Sequence, residues 1–575
     1  MVKLKLLSSA LVLSLLSACA THQVADKPAT TDITIFSLND FHGNLQADKP
    51  VPYMLPGLPA APAATPDQHG HVHPGQALST PAGGYAYLAS MLKQRRAAVS
   101  ASILVGAGDL IGASPVGSAM LRDEPVIEAF NQLGLSVTSL GNHEFDAGAA
   151  TFLGKIKGEC PASGCLFPGF HGANYDYIAA NVVNQSDAQT WLKPYVIRQV
   201  GEVKVAFIGA VTVDTPNLVA GDGVKPLRFE DEATAINRYV PEIQRQGVAA
   251  IVLLIHEGAS YAGAANDPSY ACAGLQGPIV AISNKLDQAI SLVVSGHTHQ
   301  GYTCKIDGRM VVQARSYGAY LTETTLTIER SSNRVIKAVA TNHLIDQGKL
   351  SADPQAQQLV AQVATLTAAV RSRPVATLAA PLTRSSGSGR FDSSLGNVIA
   401  DAQLYFARAS GAADLSFMNA GGIRNDLPTG RQSGPVEINY GDIYAVQPFG
   451  NNLVRMQLSG AQILALLQQQ WQGGNAENPK KLFVSDGLSY RWNPAAGLAQ
   501  RVQELRLHGV PLQPEKIYQV VVNSFLADGG DGFTVFKQGS ERQLIGRDLD
   551  AFETYVKAQG AALANVNTDR VRRTD

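Results

Sequence analysis

Ile103-Leu104-Val105-Gly106-Ala107-Gly108-Asp109 and Ile251-Val252-Leu253-Leu254-Ile255-His256 decide the fold. Each is an unbroken apolar run that ends on a residue able to bind a metal. A run without polar alternation is buried on both faces, as in a parallel sheet covered by helices. Open α/β folds hold their ligands in the loops at the carboxyl ends of such strands. The same punctuation occurs in Asn39-Asp40-Phe41-His42-Gly43-Asn44, in Gly141-Asn142-His143-Glu144-Phe145-Asp146 and in Gly296-His297-Thr298-His299. One such motif would say little. Five in order, each delivering a ligand to one sheet edge, point to a dinuclear metal centre.

The residue types fit that chemistry. Two divalent ions roughly 3.5–4 Å apart need a bridging carboxylate, terminal ligands and open positions. Asp109, straight off a strand, is the expected bridge. Asp40 and His42 would grip one ion, Asn142, His256 and His297 the other, and His299 would reach back toward the first. This mixture of imidazole, carboxylate and amide suits Zn, Mn, Fe or Co better than Ca or Mg.

The ordered motifs resemble the calcineurin-like metallophosphoesterases, and among them the two-domain 5'-nucleotidase family. The resemblance implies a four-layer first domain, a β-sandwich of two sheets flanked by helices, and an α+β carboxy-terminal nucleotidase domain. It makes Asp40, His42, Asp109, Asn142, His256 and His297 the metal ligands; the position of His299 is often a glutamine in the family's bacterial enzymes, so His299 is expected as a ligand from its own chemistry rather than from the resemblance. It makes His143 and Asp146 a catalytic dyad, the aspartate orienting the imidazole toward the phosphoryl group.

Independent signals continue in the second half. Asn419-Ala420-Gly421-Gly422-Ile423-Arg424 is similar to the family's nucleoside- and phosphate-holding loop. Gln447-Pro448-Phe449-Gly450-Asn451 and the segment from Asn523 to Phe533 resemble its base-clamping segments. Phe449 and Phe525 would then sandwich the base, whose flat π-face stacks whatever its identity, and Asp531 would hold the ribose hydroxyls. Asn451 and Gly487 belong to the same expected substrate-binding set. Either Arg384 or Arg390, which precede Leu395-Gly396-Asn397, would be the phosphate-side arginine.

The chain has 575 residues, 45% hydrophobic and 16% charged, with a formal net charge of -1. That length suits two domains, and that charge gives no track for a long nucleic acid. Lys3 and Lys5 precede the apolar stretch from Leu6 to Leu16, which is too short to span a bilayer and reads as an export signal. Leu16-Ser17-Ala18-Cys19 resembles a bacterial lipobox, so Cys19 would carry the lipid. Ala20 lacks the aspartate of inner-membrane retention, and the expected location is periplasmic or cell-surface, on the outer membrane. Cys160, Cys165, Cys272 and Cys304 then remain, and three pairings are possible. Cys160–Cys165 with Cys272–Cys304 is the expected one; a four-cysteine zinc site is the rival, with poor spacing.

The expected organisation is a signal at 1–19, a tether at 20–31, a first domain at 32–345, a connector at 346–373 and a second domain at 374–575. A Pro- and His-rich insertion between Leu45 and Gly83 carries His69, His71 and His73 and reads as a surface loop. Asp353 caps the connector helix and Pro354 opens it. Leu359, Val363, Leu366 and Val370 would form its buried face, and it must stop before Pro374.

These observations together imply an exported, lipid-anchored, metal-dependent phosphoric monoester hydrolase acting on nucleoside 5'-monophosphates. UDP-sugar or dinucleotide pyrophosphatase and 2',3'-cyclic phosphodiesterase activities share the same site pattern. The two phenylalanines argue against a thiosulfohydrolase. The intact dyad and ligands argue against a non-catalytic nucleotide-binding lipoprotein.

Overall fold

The structure is a computed structural model that describes residues 29–46, 50–53, 78–219, 223–386, 391–428, 433–476 and 479–574. The expected export signal with Cys19, most of the expected tether, His69, His71, His73 and Arg390 lie outside the described residues. The first half builds twelve principal strands. They are β1 (Thr30–Leu38), β2 (Ser102–Ala107), β3 (Leu135–Ser139), β4 (Asp176–Ile178), β5 (Tyr195–Val200) and β6 (Val203–Val211). After them come β7 (Ala250–His256), β8 (Ile290–Val294), β9 (Gly301–Ile306), β10 (Arg309–Ala314), β11 (Tyr320–Glu329) and β12 (Arg334–Leu344). They form two six-stranded sheets, ordered β12-β11-β1-β2-β3-β4 and β9-β10-β8-β7-β6-β5. Within them β1 to β4 run parallel, and so do β6, β7, β8 and β10. β1 starts two residues inside the expected tether, because Thr30 and Thr31 pair with Glu329 and Ile328 of β11.

The apolar runs are explained by burial on both sides. In β7, Val252 and Leu254 face the core between the sheets, while Ile251, Leu253 and Ile255 face a second core under helices Glu232–Arg245 and Pro278–Lys285. In β2, Ile103 and Val105 enter the inter-sheet core, and Leu104 packs outward beneath helices Tyr85–Ala97 and Glu124–Leu133. Side chains alternate across a strand, so a run apolar at every position serves two cores. Each such side chain contributes about 1.5–3 kcal/mol on full burial. Four layers result.

The connector is the helix Pro354–Arg371, and the Asp353 carboxylate accepts from the Gln355 and Ala356 N–H groups at 3.0 Å. Its buried face is Ala356, Leu359, Val363 and Thr367, whereas Leu366 is 47% exposed. Leu359 and Val363 lie on the expected face, and Thr367 is buried in place of Leu366. Thr367 can be buried because its hydroxyl donates to the Val363 carbonyl at 2.8 Å. The helix joins the core of the first half through Leu359 and Val363. It is packed scaffold rather than a free linker.

Beyond Pro374 lie β13 (Leu415–Asn419), β14 (Asn452–Ser459), β15 (Leu482–Val484), β16 (Ile517–Asn523) and β17 (Ser540–Arg547), ordered β15-β13-β16-β14-β17. Helix Ser394–Ser410 and a second, four-stranded sheet complete this α+β half. Cys160 is bonded to Cys165 and Cys272 to Cys304, the expected pairing.

Candidate metal centre and the substrate residues facing it

Strand ends place the ligands. β1 leads to Asp40 and His42, β2 to Asp109, β3 to Asn142, β7 ends on His256, and β8 leads to His297 and His299. All seven converge. His42 Nε2 lies 3.1 Å from His299 Nε2 and 3.5 Å from Asp109 Oδ2. His256 Nε2 lies 3.0 Å from the same Asp109 oxygen, and His299 Nε2 is 3.3 Å from Asp40 Oδ1. His297 Nδ1 and Asn142 Oδ1 are 3.1 Å apart. Asp109 Oδ2 thus sits between the His42 and His256 groups.

The loops are strained to do this. Asp40, His42, Asp109, His297 and His299 have φ between 46° and 72°. Left-handed backbone costs a residue with a Cβ roughly 1–2 kcal/mol and gathers at functional sites. Glycines supply the clearance: a Cβ on Gly141 would stand 2.1 Å from Asp109 Oδ1.

The donor set fits divalent metal ions. His42 Nδ1 bonds the Gly112 carbonyl at 3.0 Å and His256 Nδ1 the Ala107 carbonyl at 2.8 Å. Each contact fixes a tautomer that turns the Nε2 lone pair inward, the usual outer support of a metal-binding histidine. His256 Nε2 is buried and has no aligned hydrogen bond, although Asp109 is near. Lone pairs and carboxylates facing one another need a cation between them. Without metal a proton plays that part. Burial disfavours charge on His256, but Asp109 and Asp40 hold its pKa up to about 10. Burial disfavours charge on Asp109 too, and His256, His143 and His42 outweigh it, leaving Asp109 well below the usual carboxylate range. Burial keeps His42 well below the ordinary value and takes His297 down to about 3, so both remain neutral ligands.

His143 and Asp146 meet as expected, with Nδ1 at 3.0 Å from both carboxylate oxygens. Burial opposes charge on His143, yet Asp146 and then Asp109 hold its pKa above the ordinary value, with Arg424 pulling the other way. The His143 backbone N–H also donates to Asp109 Oδ1 at 2.9 Å, which ties the pair to Asp109.

Sequence reasoning missed three supports. Glu144, within the quoted motif, is buried; Oε2 accepts from Asp109 N–H at 2.9 Å and Gly141 N–H at 2.6 Å, and Oε1 from Leu110 N–H at 2.9 Å. It splices two ligand loops together. Asn39 donates to Asp40 Oδ2 at 2.6 Å and to the Arg315 carbonyl. Tyr317 lays its ring against His299 and His42, and its N–H donates to the Asp40 carbonyl. Glu144 and Asn39 stand in the quoted motifs, but all three roles depend on tertiary contact.

The second half faces this centre. Phe449 stacks on His143 with centroids 5.7 Å apart and planes 20° apart, and the Arg424 guanidinium stands 5.6 Å from the Phe449 centroid. Asn419 donates to Asp531 Oδ2 at 2.8 Å, and Asn523 donates to Asn419 at 3.1 Å. Phe525 packs onto Gly530, where a Cβ would meet its ring at 2.5 Å. Ser524 donates to Asn451 Oδ1 at 3.3 Å beside it. The turn Gly530–Gly532 packs against the short helix Thr215–Leu218 of the first half. Arg384 is half-buried, and its N–H donates to Asp426 at 2.8 Å.

Gly487 stands apart from the Asn419–Asp531 pair. Leu482 pairs with Asn419 and Val484 with Phe417, so the chain after Val484 leads to the other end of β13, away from Asn419. Gly487 has φ +89°, and a Cβ there would strike the His508 ring at 2.4 Å. A turn and a close approach to His508 account for a glycine at this position.

Residues 33–301 match the calcineurin-like phosphoesterase family, and residues 374–538 match the 5'-nucleotidase C-terminal domain. A cell wall protein of Listeria monocytogenes is 32% identical over 573 residues, spanning 93% of this chain and 68% of that protein. The chain belongs to the 5'-nucleotidase family of calcineurin-like phosphoesterases. An endonuclease of Bacillus subtilis is 31% identical over 496 residues, and the chain spans 38% of that protein's length while 84% of the chain is covered. A snake venom 5'-nucleotidase of Gloydius brevicauda is 26% identical over 518 residues, covering 83% of this chain and 82% of that one. The crystal structure of a 5'-nucleotidase precursor from Thermus thermophilus has the same fold, with a TM-score of 0.72 at 24% identity, covering 95% of this chain and all of that one. The family is one of metal-dependent hydrolases, and the chain carries an Asp–His cluster able to hold a metal ion.

Proposed function

We propose that the protein is a 5'-nucleotidase that hydrolyses the phosphate ester of nucleoside 5'-monophosphates at a dinuclear centre, with Zn, Mn or Co as the ions. The observation that carries this is the meeting of the two halves at His143: metal ligands on one side, Phe449 and Arg424 on the other. When bound, the ions supply Lewis acidity that neutralises phosphate oxygens and acidifies water. Asp40, His42, Asp109 and His299 would hold one ion, and Asp109, Asn142, His256 and His297 the other. His143 has Nδ1 engaged by Asp146, so Nε2 is the nitrogen left to donate to a phosphoryl or leaving-group oxygen. Arg424 brings positive charge to the same place. Asn419 and Asp531, already bonded to each other, offer polar atoms for the ribose, and Phe525 offers an aromatic face for the base. Either Arg384, whose backbone N–H is fixed by Asp426, or Arg390 would serve as the phosphate-side arginine. The Lys3 to Cys19 segment supports export and attachment to a bacterial outer membrane through lipid on Cys19.

The test is a substrate panel of AMP, UMP, ATP, UDP-glucose, NAD and a cyclic nucleotide, with Mn, Zn and Co each restored after chelation. Metal-dependent phosphate release fastest from the monophosphates is the expected result. Faster cleavage of UDP-glucose, NAD or the cyclic nucleotide would replace this reading with a pyrophosphatase or a phosphodiesterase.

A further inference from the structure

The imidazole of His143 is held on three sides. Asp146 fixes Nδ1 at 3.0 Å. The His42 ring meets it edge-on, with centroids 5.0 Å apart and planes 73° apart. Phe449 lies nearly parallel to it at 5.7 Å. The first two partners belong to the first half of the chain, and Phe449 alone crosses from the second. Its own position is set locally: the Tyr444 hydroxyl donates to the Pro448 carbonyl at 3.1 Å, and Gly450 turns the chain with φ +67°. Arg424 flanks the same ring.

A hydrogen bond to one ring nitrogen leaves the imidazole free to swing about that contact. An edge-on neighbour limits the swing in one direction. A flat ring stacked on the face limits it in the other and excludes water from that face. From this geometry we infer that Phe449 is a positioning residue for His143. It holds the imidazole in its working orientation whenever the second half is docked on the first. The inference rests on the reading of His143 as the phosphoryl-facing group. It assigns Phe449 a duty that does not depend on a base, so the ring contributes to turnover even of a substrate that has none.

The experiment uses 4-nitrophenyl phosphate, which carries no nucleoside, with the full chain and its ions. In Phe449→Ala, kcat should fall about 2- to 10-fold, the range expected from losing one aromatic pair, while KM and the number of bound ions stay at wild-type values. Phe449→Tyr, which keeps the flat face, should restore kcat to within about twofold. Phe449→Leu fills volume without a planar face and should remain low. Unchanged kcat in Phe449→Ala, a rise in KM in its place, or full rescue by leucine would overturn the inference. Failure of the underlying reading looks different: wild type would then release no phosphate in a metal-dependent way.

Discussion

Replacing Glu144 with glutamine keeps the side chain's shape and removes one acceptor oxygen. That oxygen matters because both are used. Oε2 receives the N–H groups of Asp109 and Gly141, and Oε1 those of Leu110 and Ile111, the last at 3.4 Å. Whichever way a glutamine amide turns, its NH2 group confronts two buried N–H donors. Hydrogen bonds to a charged acceptor contribute about 1.5–3 kcal/mol each, and a buried group left unpaired costs about 1–3 kcal/mol. Losing two therefore puts several kcal/mol of strain on the loops that carry Asp109 and Asn142. Part will be absorbed by loop movement and part will appear as weaker metal binding. Outer-support substitutions at metal sites typically cost about 10–100-fold in affinity, and the same range is expected here. The assay is competition of apo-protein with a chromophoric chelator, for wild type and Glu144→Gln. Metal affinity within twofold of wild type would refute the reasoning, because it would mean that the loops hold their positions without this carboxylate.

Three further outcomes follow from the same geometry. His143→Ala should keep its metal ions yet lose roughly 10²–10⁴ in kcat, the range for a positioned acid–base group; loss of metal by elemental analysis would make His143 a ligand instead. Phe525→Ala should lower kcat/KM for AMP more than for an aryl phosphate, since base stacking contributes about 1–3 kcal/mol; an unchanged ratio would leave Phe525 as core packing alone. Asp548 is buried at the start of helix Asp548–Gln559, and burial pushes its pKa up to about 7. The folded chain then keeps a proton that the unfolded chain releases above its ordinary value of 3.8. Stability from this group is lost as pH rises through that window, up to about 7. Asp548→Asn should melt higher than wild type at pH 8 and close to it at pH 4, and parallel melting curves across that range would contradict the assignment.

The clustering of these side chains was legible in the sequence because each candidate ligand is written next to its own strand. Apolar run and chelating residue are neighbours in the chain, so fold and chemistry appear in the same few residues. The pairing of cysteines was readable for a similar reason, with few combinations to consider. What could not be read depends on partners far away in sequence. Glu144 works through the backbone of a loop about thirty-five residues earlier. Leu366 and Thr367 exchanged places because a threonine hydroxyl can be satisfied within its own helix, which apolar periodicity does not record. Gly487 has left-handed backbone in a turn beneath His508, a contact with a residue twenty-one positions away that the sequence does not display. Phe449 offered an aromatic face, and only the packing of the two halves shows that His143 lies against it.

The central claim is that Asp109 stands between two metal ions, as its contacts at 3.0 Å to His256 and 3.5 Å to His42 imply. Elemental analysis of the full chain before and after Asp109→Ala tests it most directly. The account predicts two divalent ions per chain in the wild type, falling toward zero in the variant together with phosphate release. Full metal occupancy in Asp109→Ala would contradict it.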